Sequence, residues 1–162
     1  MELKRRLDPK TVFIGLYVVL FAIYIIVGLQ PAGATNYPVS AELSIPAIEL
    51  TSDVTSLQLE NHALNTPDTI VGSYSQAEHK TLLIGHSTTV FEKLNEVELG
   101  DLIRFDDVDY RVTSINMVLK ERIDMSEVLQ GADKDTVIIM TCAGQLLDGG
   151  DATHRLMVTA SI

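Results

Sequence analysis

The 162-residue chain holds one cysteine, Cys142, and four histidines, so the first chemistry its residues can support is a thiol nucleophile with an imidazole partner. A thiol becomes useful when a base or a cation beside it favours the thiolate. Cys142 closes the apolar run Val137-Ile-Ile-Met-Thr-Cys142, directly before Ala143-Gly144 and a polar loop. That spacing predicts a side chain at the C-terminal lip of a buried strand, rigidly held yet reachable. His86 has a matching place, after the compact apolar run Thr81-Leu-Leu-Ile-Gly85. His62 and His79 lie among polar residues and read as surface groups, while the cationic neighbour Arg155 disfavours His154 as a base. Arg155 opens the last alternating segment, on the face opposite Leu156 and Val158, where it shares a side with Met157, Thr159 and Ser161. It reads either as a solvated charge or as a fixed donor for an oxyanion, a role worth about 10²–10³ in rate. On residue types alone, Cys142 is a small buried hydrophobe, an intermolecular bridge or a reactive thiol. His86 is equally open between a structural and a catalytic part.

The elements that must hold these residues are short strands. Leu43 to Leu50 alternates as an edge strand, with Pro46 arguing against a central place. Leu57 and Leu59 mark a second strand, and the runs 81–85 and 137–141 read as buried strands. Segments 101–105 and 110–118 flank Asp106-Asp107 as a hairpin, and 155–162 alternates with Leu156, Val158, Ala160 and Ile162 on one face. Two short helices are predicted. One follows the capping-box pattern Thr89-x-x-Glu92 and stops at Gly100; the other follows Asp124-x-x-Glu127 and stops at Gly131. The sum is a mainly β domain of seven to eight strands, a barrel or sandwich.

Ahead of it, Val12 to Leu29 contains no charged residue, long enough to span a bilayer as a helix. Lys4, Arg5, Arg6 and Lys10 precede this span, so the positive-inside rule puts the N-terminus in the cytoplasm and the rest outside. Residues 1–10 are thus expected as a cytoplasmic basic tail, 11–29 as a transmembrane signal anchor in the cell membrane, 30–40 as a linker and 41–162 as the extracytoplasmic domain. Ala32-Gly33-Ala34 resembles a signal-peptidase site, but the apolar span exceeds the usual signal-peptide length, which favours an uncleaved anchor. Beyond the span, eight Lys and Arg face twenty Asp and Glu, a balance of −12 that disfavours a nucleic-acid partner.

Four segments, in order, carry a family resemblance: Ile45-Pro-Ala-Ile-Glu-Leu50, Leu83-Ile-Gly-His86 with Phe91-Glu-Lys-Leu94 and Gly100-Asp-Leu-Ile103, Ile139-Met-Thr-Cys142, and Thr153-His-Arg-Leu-Met-Val158. Together they resemble the sortases from about Ala41 to Ile162. The resemblance implies a sortase-like β-barrel in which Cys142, His86 and Arg155 are catalytic and Thr141, Met140 and Ala143 lie near bound substrate. It implies acyl transfer from an LPxTG-like sorting signal through a Cys142 thioacyl enzyme. The partners implied are surface proteins bearing a C-terminal sorting signal and an amine acceptor, a peptidoglycan precursor or a pilin lysine.

Departures are visible. The family's Thr-Leu-x-Thr-Cys reads Ile138-Ile139-Met140-Thr141-Cys142, and residues 70–80 lack a glycine-rich approach to the histidine. No C-terminal span and no aromatic lid are apparent, which points to a general-purpose rather than a pilin-polymerising sortase. No cofactor is expected: no His or Cys pair has metal-ligand spacing. Glu78, Asp124 and Glu127, near loops where some sortases bind Ca²⁺, read as solvated charges. A thiol and an imidazole of ordinary acidity hold the ion-pair form as only about 1% of the neutral form, so a slow enzyme with a bell-shaped pH profile is expected. Two alternatives stand beside this one. A non-catalytic, membrane-tethered β-module that binds a partner and holds a free thiol would leave activity unchanged in Cys142→Ala. An L,D-transpeptidase needs a Ser-His-Gly-Cys run, which is absent.

Overall fold

Alternating apolar residues over much of the chain give strands, and the computed structural model describes residues 37–60, 63–147 and 151–162. The expected tail and anchor lie outside these residues. Among the described residues, no helix is long and apolar enough to cross a membrane. The strands are β1 (Val39–Ile45), β2 (Leu50–Ser56), β3 (Leu59–Glu60), β4 (Ala63–Leu64), β5 (Val71–Tyr74), β6 (Lys80–Ile84), β7 (Leu102–Phe105), β8 (Val108–Leu119), β9 (Thr136–Leu146) and β10 (Ala152–Ser161). Eight of them close a barrel in the order β1-β2-β5-β6-β9-β10-β8-β7, and β3 and β4 form a separate two-stranded ribbon. The β2/β5 and β6/β9 pairs are parallel. Closure removes the free edges that an open sheet of this kind would expose.

Inside the barrel, one face of each strand meets the others. Leu43, Ile45, Val54, Val71, Leu83, Ile103, Val137, Ile139 and Val158 are buried there with Phe91 and Leu94. The β10 alternation expected from sequence holds for Leu156, Val158 and Ala160, which are buried with their neighbours partly open, whereas Ile162 lies past the strand's end and is exposed.

Several elements differ from the sequence reading. The expected strand 43–50 is two strands. Pro46 sits at the start of a 3₁₀ turn, Pro46–Ile48, and Glu49 ends it in the left-handed region (φ 56°). Proline cannot donate to the ladder and fixes its own φ, so the chain reverses there into an antiparallel β1/β2 pair. β1 begins at Val39, within the segment read as linker. The helix expected after Thr89 is absent. Thr89 Oγ1 instead donates to the Asp68 carbonyl (2.7 Å), and the segment turns into a short 3₁₀ stretch, Leu94–Glu96. Phe91, Leu94 and Val97 are all buried, a spacing of three that matches the 3₁₀ repeat. The second expected helix is present as α1 (Met125–Leu129), capped by Asp124, whose carboxylate accepts from Ser126 N (2.8 Å). β5 was not foreseen. At four residues it is too short to show alternation, and Gly72 within it leaves room only for the overlying Leu57, whose side chain a Cβ would meet at 2.4 Å.

Candidate active site

The parallel β6/β9 pair sets the site. Ile84, the last residue of β6, faces Met140 in register, so His86, two residues beyond Ile84, and Cys142, two beyond Met140 on the continuing β9, lie at the same level. On the other side of β9, Arg155 pairs directly with Cys142 across the antiparallel β9/β10 ladder. Directly opposed residues on such a ladder put their side chains on one face, with Cβ atoms about 4.5–5.5 Å apart. Alternation along β9 sends Val137 and Ile139 into the core, leaving Met140 and Cys142 on the outer face.

The three residues line one cleft of about 420 Å³. Its apolar wall comes from Leu59, Leu64, Ile84, Met125, Leu129 and Met140, with Tyr74 and Thr66 beside them. The ribbon β3/β4 and helix α1 thus supply walls around a lip built by three barrel strands.

Cys142 is a free, partly exposed thiol. β9 continues past it to Leu146, so it is burial and not the strand that ends at Cys142. Thr141, one residue earlier, is buried, and its hydroxyl donates to the Gly85 carbonyl at 2.7 Å. This bond ties the residue before Cys142 to the residue before His86. His86 follows Gly85, at which a Cβ would come within 2.5 Å of Val90 and 2.8 Å of the Phe91 ring. Its own carbonyl accepts from Phe91 N (3.0 Å) and Thr89 N (3.3 Å), so the turn after β6 is fastened on both sides of the imidazole. His86 Nε2 lies 3.8 Å from Asp68 Oδ1, an ion-pair separation too long for a hydrogen bond.

Arg155 is fixed by acceptors close to it in sequence. Its Nη1 donates to the carbonyls of Ala152 (3.1 Å) and His154 (3.0 Å), and its Nη2 to Asp151 Oδ1 (2.7 Å). The Arg155 side chain is only 15% exposed, and β10 begins at Ala152, three residues before it. Asp151 also pairs with Lys120. These two cations, with the Ala152 N–H, hold the Asp151 carboxyl well below the usual carboxylate range.

Of the residues expected near substrate, Met140 and Thr141 line the cleft. Ala143 packs against the core, because its place in the β9 alternation turns it inward. His154 engages the Thr153 hydroxyl (2.8 Å). His79 lies at the far end of β6 with Asp135 (2.5 Å), and His62 falls outside the described residues. Among the described residues no cluster of three metal-ligating side chains occurs.

Sequence reasoning missed Asp151, Lys120, Asp68 and the wall residues from β3, β4, β5 and α1. Only the apolar character of Leu59, Leu64 and Leu129 signalled them, and apolar residues are common everywhere.

The closed mixed barrel thus brings a free thiol, an imidazole and a guanidinium together in one cleft. A family model described as the sortase domain matches residues 43–162. Among solved structures, the fold is similar to a lid mutant of sortase A from Corynebacterium diphtheriae (24% identity, TM-score 0.58, covering 79% of this chain and 72% of that one). It is also similar to sortase A from Listeria monocytogenes (17%, 0.59, 76% and 86%) and to sortase C-1 from Actinomyces oris (22%, 0.58, 99% and 83%). Those likenesses carry the fold, and no curated protein matches the sequence. The chain belongs to the sortase family.

Proposed function

We propose that this chain is a membrane-tethered cysteine transpeptidase acting on an LPxTG-like sorting signal, with Cys142, His86 and Arg155 as its catalytic residues. The observation that carries the reading is that these three side chains line one apolar-walled cleft. The Cys142 thiolate attacks the carbonyl between Thr and Gly of the signal, forming the S–C bond. As the C–N bond breaks, the proton held on His86 passes to the leaving amine. An incoming amine, deprotonated by His86, then forms the new C–N bond as the C–S bond breaks, returning the Cys142 thiolate and the protonated His86. Arg155 donates to the oxyanion in both steps. The apolar wall suits the leucine and proline of such a signal, which carry no charge to satisfy.

The substrates are surface proteins bearing a C-terminal sorting signal, and the acceptor is an amine of a peptidoglycan precursor or a pilin lysine. The uncharged span 12–29 and the preceding basic cluster support a single-pass anchor with the domain outside. The test is transfer itself. The full-length chain, incubated with LPxTG-like peptides and a soluble amine, should release the C-terminal fragment and join the remainder to the amine. Cys142→Ala should abolish both products and His86→Ala should reduce them at least 100-fold. Equal product from Cys142→Ala would overturn the reading.

A further inference from the structure

We propose that Asp151 and Lys120 together are the positioning device for Arg155, Asp151 anchoring the guanidinium and Lys120 keeping the group net positive. This rests on the transpeptidase reading above and deepens it. Asp151 is held at three points. Its backbone carbonyl accepts from Leu147 N (2.8 Å), closing the β9–β10 connection. One carboxylate oxygen takes the Arg155 Nη2 proton and the Ala152 N–H (2.8 Å), and the other takes Lys120. Lys120 opens the turn that follows β8, and Leu119 before it pairs with His154 on β10. The contacts therefore run from the end of β8, through the foot of β10, to the residue paired with Cys142.

The donor count shows what this leaves free. A guanidinium has five N–H groups. Three acceptors engage Nη1 twice and Nη2 once, so Nε–H and one Nη2–H stay uncommitted among the described residues. These are the donors available to a developing oxyanion. The charge count explains Lys120. An Arg–Asp pair alone is neutral overall and a weak oxyanion stabiliser; Lys, Asp and Arg together carry +1. Neither Lys120 nor Asp151 lines the cleft, so both act through Arg155.

The test is single-turnover thioester formation by the full-length chain with the LPxTG-like peptide, with KM, kcat and thermal midpoint measured alongside. Asp151→Ala should lower kcat about 10- to 100-fold with KM within about threefold, since a misplaced catalytic group can cost that much. Asp151→Glu should recover part of the loss. Lys120→Met should lower kcat about tenfold, and Lys120→Met/Asp151→Asn should be faster than Lys120→Met alone, because its net charge returns to +1. A merely structural role predicts losses that track the thermal midpoint and no such recovery. If Asp151→Ala fails to fold, Asp151→Asn, which keeps the shape and an acceptor, should show a smaller fall in kcat. A reactive wild type matched within twofold by Asp151→Ala or Asp151→Asn overturns this proposal alone, as does a double variant no faster than Lys120→Met. A wild type that forms no thioester overturns the transpeptidase reading and this proposal with it.

Discussion

Thr141 shows how a single hydroxyl can matter to two strands. It is buried, and its one donor satisfies the Gly85 carbonyl between the lips that carry Cys142 and His86. Thr141→Val keeps the shape but leaves that carbonyl without its donor, at a cost of about 1–3 kcal/mol. Urea unfolding should read this loss, and thioester formation should slow as well, whereas Thr141→Ser should retain both stability and rate. An unchanged stability for Thr141→Val would show that the bond contributes nothing. At this scale the sequence was partly legible. Cys142 stood out as the only thiol, and His86 by its matching place after a buried run. Arg155 could not be separated from a solvated charge by spacing, because what fixes it is a set of contacts with Asp151 and the turn before β10. Those contacts leave no periodic trace in the chain.

Elements were legible where alternation was long and unbroken, as in β10, and illegible where a backbone constraint decided. Pro46 cut one expected strand into two, and the Thr89 segment followed a three-residue repeat that a capping-box pattern does not distinguish from an α-helix. The hairpin joining β7 and β8 was foreseen, and its two-residue turn has the favoured geometry without a glycine. Asp106 (φ 50°) and Asp107 (φ 62°) both occupy the left-handed region, where glycine is favoured at the second position. Asp107→Gly should therefore raise stability by roughly 0.5–1 kcal/mol, seen as a higher thermal midpoint. A lower midpoint would mean that the Asp107 side chain contributes more than its backbone costs. Gly85 is the opposite case. Gly85→Ala drives a methyl into Val90 and Phe91, and overpacking of this kind costs about 1–3 kcal/mol. Because the strain falls next to His86, activity should fall further than stability does.

For the whole molecule, the barrel brings together residues from β3, β4, β5, β6, α1, β9 and β10, and this convergence is the part no local pattern could announce. The same global view gives a pH dependence. The carboxyls of Asp151, Asp109 and Asp124 are held below the usual carboxylate range, by Lys120 and Arg155, by Arg104, and by hydrogen bonds from Ser126 respectively. Groups lowered on folding contribute stability above their ordinary value of 3.8 and lose it as pH falls further. His79 is raised by its hydrogen bond to Asp135, so its contribution is present below 6.5 and fades as pH rises beyond that. Stability should thus be greatest between these limits, and His79→Ala should flatten the alkaline side in thermal melts across pH. An unchanged alkaline slope would remove His79 from the account. The central claim, that Cys142 is the acyl-accepting nucleophile of this cleft, is tested most directly by intact-mass measurement of the full-length chain after mixing with an LPxTG-like peptide. The account predicts one added mass, equal to the peptide fragment ending in threonine, located on Cys142 and removed by hydroxylamine. An unmodified thiol across a panel of such peptides, or the same added mass on Cys142→Ala, would contradict it.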